Sequence, residues 1–161
     1  MKIEQQVVEF FNKNKLFLAS AESCTGGLIS KKITDIPGAS GMFGYGFCTY
    51  ANDAKVKLLG VSRDTLSSFG AVSKQTADEM ARGLLDISGA DVAICTTGMA
   101  SPGNLPTSKP VGLVFIGIAS KLGTRTVELN LFDLKSRSDI REASADRALE
   151  EALIEAEKIL L

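Results

Sequence analysis

The sequence predicts an α/β fold with a mixed, mostly parallel sheet of about five strands and helices on both faces of the sheet. Segments with helical spacing of apolar residues alternate with short apolar segments typical of strands, and a short turn joins two strands late in the chain. The 161 residues, 45% hydrophobic and 23% charged, have the size and composition of one globular domain. Because no internal repeat or linker divides the chain, we expect a single domain over residues 1–161.

The first part of the chain predicts a helix, a strand and a second helix. Residues 3–14 carry an apolar stripe between polar positions, which indicates a helix. Residues 16–20 are short and apolar enough for a buried strand, and residues 25–34 return to helical spacing. Ser23 or Thr25 would cap this second helix, and a proline-glycine pair ends it.

The middle of the chain predicts a strand followed by three helices. Residues 43–50 are rich in glycine and aromatic residues and predict a second strand. An Asn-Asp pair then caps a short helix at residues 54–59, and a second short helix follows at residues 62–68. Ser73 caps a longer amphipathic helix that ends near residue 87.

The last part of the chain predicts a central strand, a hairpin and a long helix. Residues 91–97 form an apolar strand that leads into a loop over residues 98–110. Residues 111–120 and 124–131 alternate as an antiparallel pair. Residues 138–160 carry apolar side chains on one face and close the domain as a helix.

Composition excludes several classes of protein. The net charge is −1 and basic residues are scattered among acidic ones, so nucleic-acid binding is disfavoured. No apolar segment approaches the roughly 20 residues that a membrane helix needs, and the N-terminus lacks the apolar segment of a secretion signal. We therefore expect no membrane partner and a cytoplasmic location.

The histidine and cysteine content limits the chemistry. The chain has no histidine, which excludes a Ser-His-Asp triad, a Cys-His pair and a histidine-ligated zinc. Its three cysteines are an odd number and far apart in sequence, which indicates reduced thiols. We expect no metal and no cofactor, and any acid-base catalysis has to use Lys, Tyr, Asp, Glu or Cys.

Two glycine-containing loops are predicted to border one pocket. Residues 23–27 and residues 98–103 each follow a predicted strand, and ligands of α/β proteins bind beyond the carboxyl ends of parallel strands. The N–H groups of Thr25, Gly26 and Gly27 suit an oxyanion or another anionic group. Thr97-Gly98 and Ser101-Pro102-Gly103 are candidates to donate hydroxyl and backbone hydrogen bonds to a phosphate or a ribose, against the alternative of an ordinary loop.

Ser23 is the candidate nucleophile, and a neutral lysine is the most natural base in a chain without histidine. Lys55 follows the end of the second predicted strand, so its side chain can reach the same edge of the sheet. Its alternative interpretation is an ordinary solvated helix lysine. Tyr50 is a candidate to relay a proton or orient the lysine, against the alternative of a half-buried strand residue.

Two neighbours of Ser23 leave alternatives open. Cys24 is a rival nucleophile, because a thiol at a helix N-terminus can have a lowered pKa, but a small buried cysteine is the competing interpretation. Glu22 is a candidate to hold a lysine or a substrate, against the alternative of a surface or capping carboxylate.

A series of motifs in fixed order resembles the C-terminal domain of the competence-damage protein CinA, and the resemblance covers nearly the whole chain. Stand-alone members of that family include nicotinamide mononucleotide amidases. The motifs are residues 21–27 (AESCTGG), Tyr50 with Asn52, and residues 54–55 (AK), 58–61 (LLGV), 70–73 (GAVS), 97–98 (TG) and 109–112 (KPVG).

The resemblance implies a three-layer α/β/α domain that hydrolyses nicotinamide mononucleotide to nicotinate mononucleotide and ammonia in pyridine nucleotide recycling. It implies Ser23 as nucleophile, Lys55 as its base and Tyr50 as a partner in proton transfer. For the substrate phosphate we expect loop hydroxyls and an arginine, Arg141 in the first place and Arg137 in the second. A homodimer or larger homo-oligomer is also expected.

The chain departs from the family pattern at two places, which leaves other functions open. Ser101 stands where glycine is usual in the loop after Gly98, and residues 132–138 lack the glycine expected before the arginine pair. The first alternative is a non-catalytic nucleotide-binding or regulatory domain. The second is a hydrolase of a different small amide.

Overall fold

The computed structural model describes residues 1–102 and 107–161, which form six helices and five strands together with a short 3₁₀ turn at Ala39–Gly41. The helices are α1 Ile3–Asn14, α2 Leu28–Thr34, α3 Asn52–Leu59, α4 Arg63–Phe69, α5 Lys74–Ser88 and α6 Arg137–Ile159. The strands are β1 Leu18–Glu22, β2 Phe43–Cys48, β3 Val92–Gly98, β4 Leu113–Ser120 and β5 Gly123–Asn130.

The five strands form one mixed sheet in the order β2-β1-β3-β4-β5. β1 pairs in parallel with both β2 and β3, while β4 pairs antiparallel with β3 and β5. Four strands therefore point the same way and only β4 is reversed. The mixed, mostly parallel sheet of five strands predicted from the sequence is confirmed.

Two hydrophobic cores lie on opposite faces of this sheet. The period of two along β3 sends Val92 and Ile94 to one face, where α1, α2 and α6 pack. Ala93 and Cys95 point to the other face, where α3, α4 and α5 pack. This arrangement confirms the three-layer α/β/α architecture, and it directs the carboxyl ends of β1, β2 and β3 to one edge of the sheet.

No helix within residues 1–102 and 107–161 combines the length and apolarity that crossing a bilayer requires.

Strand β1 begins and ends two residues later than predicted. Leu16 is buried, but its N–H donates to Phe11 O at 2.9 Å, so it belongs to the C-terminal cap of α1. At the other end Ala21 and Glu22 continue the pairing with β2 and β3. A carboxylate is uncommon in a buried strand, and the sequence pattern gave no sign that this one is satisfied there.

Glu22 replaces the predicted hydroxyl cap of α2. The helix begins at Leu28 rather than residue 25, and its N-cap Gly27 offers no side chain. The fully buried Glu22 carboxylate instead accepts hydrogen bonds from Ile29 N at 2.8 Å and from Ser30 N at 3.1 Å. It also accepts from the hydroxyls of Thr25 at 2.7 Å and Ser30 at 2.9 Å. The carboxylate thus joins β1, the following turn and α2.

We expect Glu22→Gln to lower the free energy of unfolding by about 2–4 kcal/mol, because the glutamine amide presents donors to N–H and O–H groups that need acceptors. Urea unfolding measures this difference. Glu9→Gln, at an exposed position of α1, is the control and should change the free energy by no more than about 0.5 kcal/mol. Equal effects in the two variants would contradict the capping role of Glu22.

Candidate active site

Ser23 is the first residue after β1, at the carboxyl edge of the sheet. Its N–H donates to Thr96 O on β3 at 3.0 Å, which extends the strand pairing by one residue before the chain turns. The turn needs Gly26 and Gly27, whose φ angles are 59° and 101°. It leaves the Ser23 side chain partly exposed.

Lys55 lies against Ser23 and is buried. It lies in the first turn of α3, its exposed fraction is 1%, and its Nζ is 3.0 Å from Ser23 Oγ. The side chain of Lys57, two positions further along the helix, is 71% exposed. The alternative interpretation of Lys55 as a solvated helix lysine is therefore wrong.

The surroundings of Lys55 favour its neutral form. Burial lowers the pKa of Lys55 from its ordinary value, because desolvation penalises the ammonium. Its other hydrogen-bond acceptors are the backbone oxygens of Thr49 at 2.8 Å and Tyr50 at 3.3 Å. A neutral amine has two protons for these two carbonyls and one lone pair left over. That lone pair then faces the Ser23 hydroxyl, which is the geometry of a general base.

The Tyr50 side chain lies at the edge of the site and is 61% exposed. Its hydroxyl accepts a hydrogen bond from Arg137 Nη2 at 3.1 Å. Among the described residues it makes no hydrogen bond to Ser23 or to Lys55 Nζ, so its role in proton transfer stays a prediction.

A cavity of about 480 Å³ opens at this edge of the sheet. Lys55, Lys109 and Arg137 contribute three basic side chains to its wall, and the described residues contribute no carboxylate. The remaining lining residues are Ser23, Cys24, Tyr50, Asn52, Gly70, Ala71, Val72, Thr97, Gly98, Met99, Ala100, Ser101 and Thr107. Such a wall favours an anionic ligand.

Thr97 and Gly98 line the cavity as predicted, but the Thr97 hydroxyl already has a partner. It donates to Ala71 O at 2.7 Å and so joins the end of β3 to the loop before α5. At Gly98 an added Cβ would lie 2.6 Å from Val114 Cγ2, so only glycine lets β3 and β4 approach this closely. Gly103, at the end of the predicted loop, lies outside the described residues.

The turn residues Thr25, Gly26 and Gly27 do not line the cavity, contrary to the prediction that they contact the substrate. The Gly26 N–H donates to Ser23 O at 3.1 Å and is already occupied. Thr25 is fully buried, and its hydroxyl donates to Glu22 and accepts from Thr96 at 2.7 Å. These residues fix the backbone that carries Ser23.

The two arginines exchange the places predicted for them. Arg141, the first choice for the phosphate, is not part of the cavity wall, because its guanidinium donates to Cys24 O at 3.2 Å and Thr25 O at 2.8 Å. Arg137, the second choice, lines the cavity. In the sequence, Arg137 directly precedes the predicted helix and Arg141 lies in its first turn. Their spacing does not reveal the loop geometry that directs one guanidinium to the cavity and the other to the turn after Ser23.

Cys24 is a poor nucleophile in this environment. Burial raises the pKa of its thiol to about 11, so the thiol is protonated at neutral pH. The interpretation as a small buried cysteine is the one that agrees with the structure.

Sequence reasoning gave no role to Lys109, although it belongs to one of the motifs. Its Nζ donates to Phe69 O at 2.5 Å and to Val72 O, so it joins the far side of the loop after β3 to the connection between α4 and α5. Desolvation lowers its pKa. Its position in the Lys-Pro-Val-Gly motif is the sequence feature that could have marked this lysine as part of the site.

The family model for the CinA C-terminal domain matches residues 1–155. The chain belongs to this family. A CinA-like protein of Chloroherpeton thalassium is 46% identical over 151 residues, which are 92% of this chain and 36% of that protein. The chain thus spans about a third of the length of the curated relatives it matches.

Solved structures show the same CinA fold. The competence/damage inducible protein CihA from Agrobacterium tumefaciens is 42% identical with a TM-score of 0.90, covering 95% of this chain and 93% of that one. The competence damage-inducible protein A from Klebsiella pneumoniae is 26% identical with a TM-score of 0.89, covering 98% of this chain and 95% of that one.

In this CinA domain we expect Arg141→Met to loosen the turn after Ser23, because the carbonyls of Cys24 and Thr25 lose their charged donor. Amide hydrogen exchange at Gly26 should accelerate at least about tenfold, and the free energy of unfolding should fall by about 1–3 kcal/mol. Arg82→Met, at an exposed position of α5, is the control. Unchanged exchange at Gly26 would show that Arg141 does not hold the turn.

Proposed function

We propose that this domain hydrolyses the carboxamide of nicotinamide mononucleotide, giving nicotinate mononucleotide and ammonia. The observation that carries the proposal is the 3.0 Å contact between Ser23 Oγ and the buried Nζ of Lys55, to which the described residues offer no carboxylate partner. The substrate follows from the family resemblance. The basic cavity wall suits its phosphate, and the cavity volume of about 480 Å³ lies in the usual range for small ligands.

In the acylation step, Ser23 Oγ attacks the carboxamide carbon and Lys55 Nζ takes the hydroxyl proton. The carboxamide C–N bond then breaks, and the lysine gives this proton to the departing nitrogen, which leaves as ammonia. We assign the oxyanion to the Cys24 N–H, because this residue follows the nucleophile, lines the cavity and donates its N–H to no other described residue. This assignment replaces the occupied Gly26 N–H.

In the deacylation step, water attacks the nicotinoyl ester and gives a proton to Lys55. The ester C–O bond breaks, and the proton returns to Ser23 Oγ. The cycle needs no metal and leaves both side chains in their starting states.

We expect Ser23→Ala and Lys55→Met each to reduce ammonia release from nicotinamide mononucleotide by about 10³-fold or more, since each removes one half of the pair. Methionine is preferred to alanine at position 55, because alanine would leave a cavity in a fully buried site. Chromatography of nicotinate mononucleotide with an ammonia assay measures the rate.

Ser67→Ala on α4 and Lys57→Met on α3 are matched controls at exposed positions and should retain the activity of the original chain. A Ser23→Ala variant as active as these controls would end the proposal. Binding of the nucleotide without any turnover by the original chain would favour the regulatory alternative.

The pH dependence should report the lowered pKa of Lys55. Only the neutral amine accepts the serine proton, so kcat/KM should rise tenfold per pH unit below the Lys55 pKa and level off above it. The midpoint should lie below the ordinary lysine value. Stopped assays between pH 5 and pH 10 measure the profile, and a flat profile over this range would contradict a lysine base.

A further inference from the structure

The guanidinium of Arg137 is held at the cavity by two neutral hydroxyls. Nη1 donates to Ser101 Oγ at 2.7 Å, and Nη2 donates to the Tyr50 hydroxyl at 3.1 Å. Ser101 follows β3 and Tyr50 follows β2, so the guanidinium links two separate segments of the cavity wall. These two hydrogen bonds, made by different nitrogens, orient the plane of the guanidinium.

The charge of Arg137 is not neutralised by this arrangement. Arg125 donates to the carboxylates of Glu151 and Glu155, whereas the described residues give Arg137 no acidic partner. Arg137 is also the first residue of the 23-residue helix α6, whose N-terminal end adds a positive partial charge. The described residues thus place a positive charge at the cavity without a carboxylate to compensate it, and this favours binding of an anion from solution.

The cluster offers a ligand several hydrogen-bond donors together with a positive charge. Each hydroxyl accepts from Arg137, so its own proton remains available, and contacts with the described residues use two of the five N–H groups of the guanidinium. A ribose or an amide is neutral, whereas a phosphate monoester dianion accepts from all of these donors and is also attracted by the charge of the guanidinium. The match in chemistry is therefore to a phosphate dianion.

We propose that Ser101, Tyr50 and Arg137 form a phosphate clamp, in which Ser101 and Tyr50 orient Arg137 and each donate one hydrogen bond to the ligand. The clamp selects phosphorylated over unphosphorylated nucleosides. It rests on the proposed function only for the identity of the nucleotide. It also assigns Tyr50 to binding the phosphate rather than to proton transfer, and it gives a reason for a serine at position 101.

The first test measures binding of ribose 5-phosphate by calorimetry, which does not depend on turnover. We expect Ser101→Gly to weaken binding about tenfold and Arg137→Met about 100-fold, with Ser101→Thr close to the original chain. Ser108→Gly, at an exposed position of the same loop that does not line the cavity, is the matched control. In the double variant Ser101→Gly should add little to Arg137→Met, because the serine acts largely through the arginine.

Inorganic phosphate and ribose form the other arms of this test. Phosphate should compete with ribose 5-phosphate in a manner that depends on Arg137, and ribose should not bind detectably. The clamp would be overturned if neither Arg137→Met nor Ser101→Gly changed the affinity for ribose 5-phosphate, or if ribose bound with equal affinity.

The second test separates the clamp from the proposed reaction. Tyr50→Phe should raise KM for nicotinamide mononucleotide with little change in kcat, and it should not alter hydrolysis of the unphosphorylated riboside. A loss of kcat on both substrates would instead establish proton transfer and overturn the assignment of Tyr50. If ribose 5-phosphate binds as expected but no amide is hydrolysed, the clamp stands and the amidase proposal fails.

Discussion

The desolvation of a single lysine is the constraint on which the site depends. Within the described part of the chain, a charged ammonium at Lys55 would have two carbonyls and a hydroxyl as its partners and no carboxylate, which is poor compensation for losing water. The fold therefore lowers the pKa of this lysine instead of neutralising it with an ion pair. In the proposed reaction this amine takes the place of the imidazole that the chain lacks, because a neutral amine beside a serine hydroxyl accepts a proton as an imidazole does.

The mixed sheet brings the two groups together by simple geometry. β1 and β2 run in parallel and end side by side. Ser23 directly follows β1, and the segment that leads into α3 follows β2, so the two meet at one edge of the sheet. Glu22 then directs the chain into α2 by accepting from two backbone N–H groups, and Arg141 holds the next two carbonyls. The two charged residues are structural, and their work is to keep Ser23 in place.

Most of the fold could be predicted because strand and helix periods are local properties of the sequence. The pairing of Ser23 with Lys55 was also accessible, since both follow predicted parallel strands and the absence of histidine left few bases. What could not be predicted was which partners each charged side chain hydrogen-bonds. Glu22 is a buried cap, and Arg137 and Arg141 take different places although they are four residues apart on α6. These outcomes depend on loop geometry that periodicity does not encode.

The proposed lysine base and the phosphate of the proposed substrate impose opposite demands on one cavity. A phosphate dianion near Lys55 would stabilise the ammonium and raise its pKa, which would remove the base when substrate binds. Arg137 and Lys109 line the same cavity as Lys55, and their positive charges oppose that change. Arg137 balances one of the two charges of a phosphate dianion, and Lys109 in the same cavity wall opposes the other, so the rise in the Lys55 pKa is smaller than an uncompensated dianion would cause. In the proposed reaction the contact with Arg137 therefore supports the chemistry as well as the affinity, because it limits how far the charge of the substrate raises the pKa of the lysine that has to accept a proton.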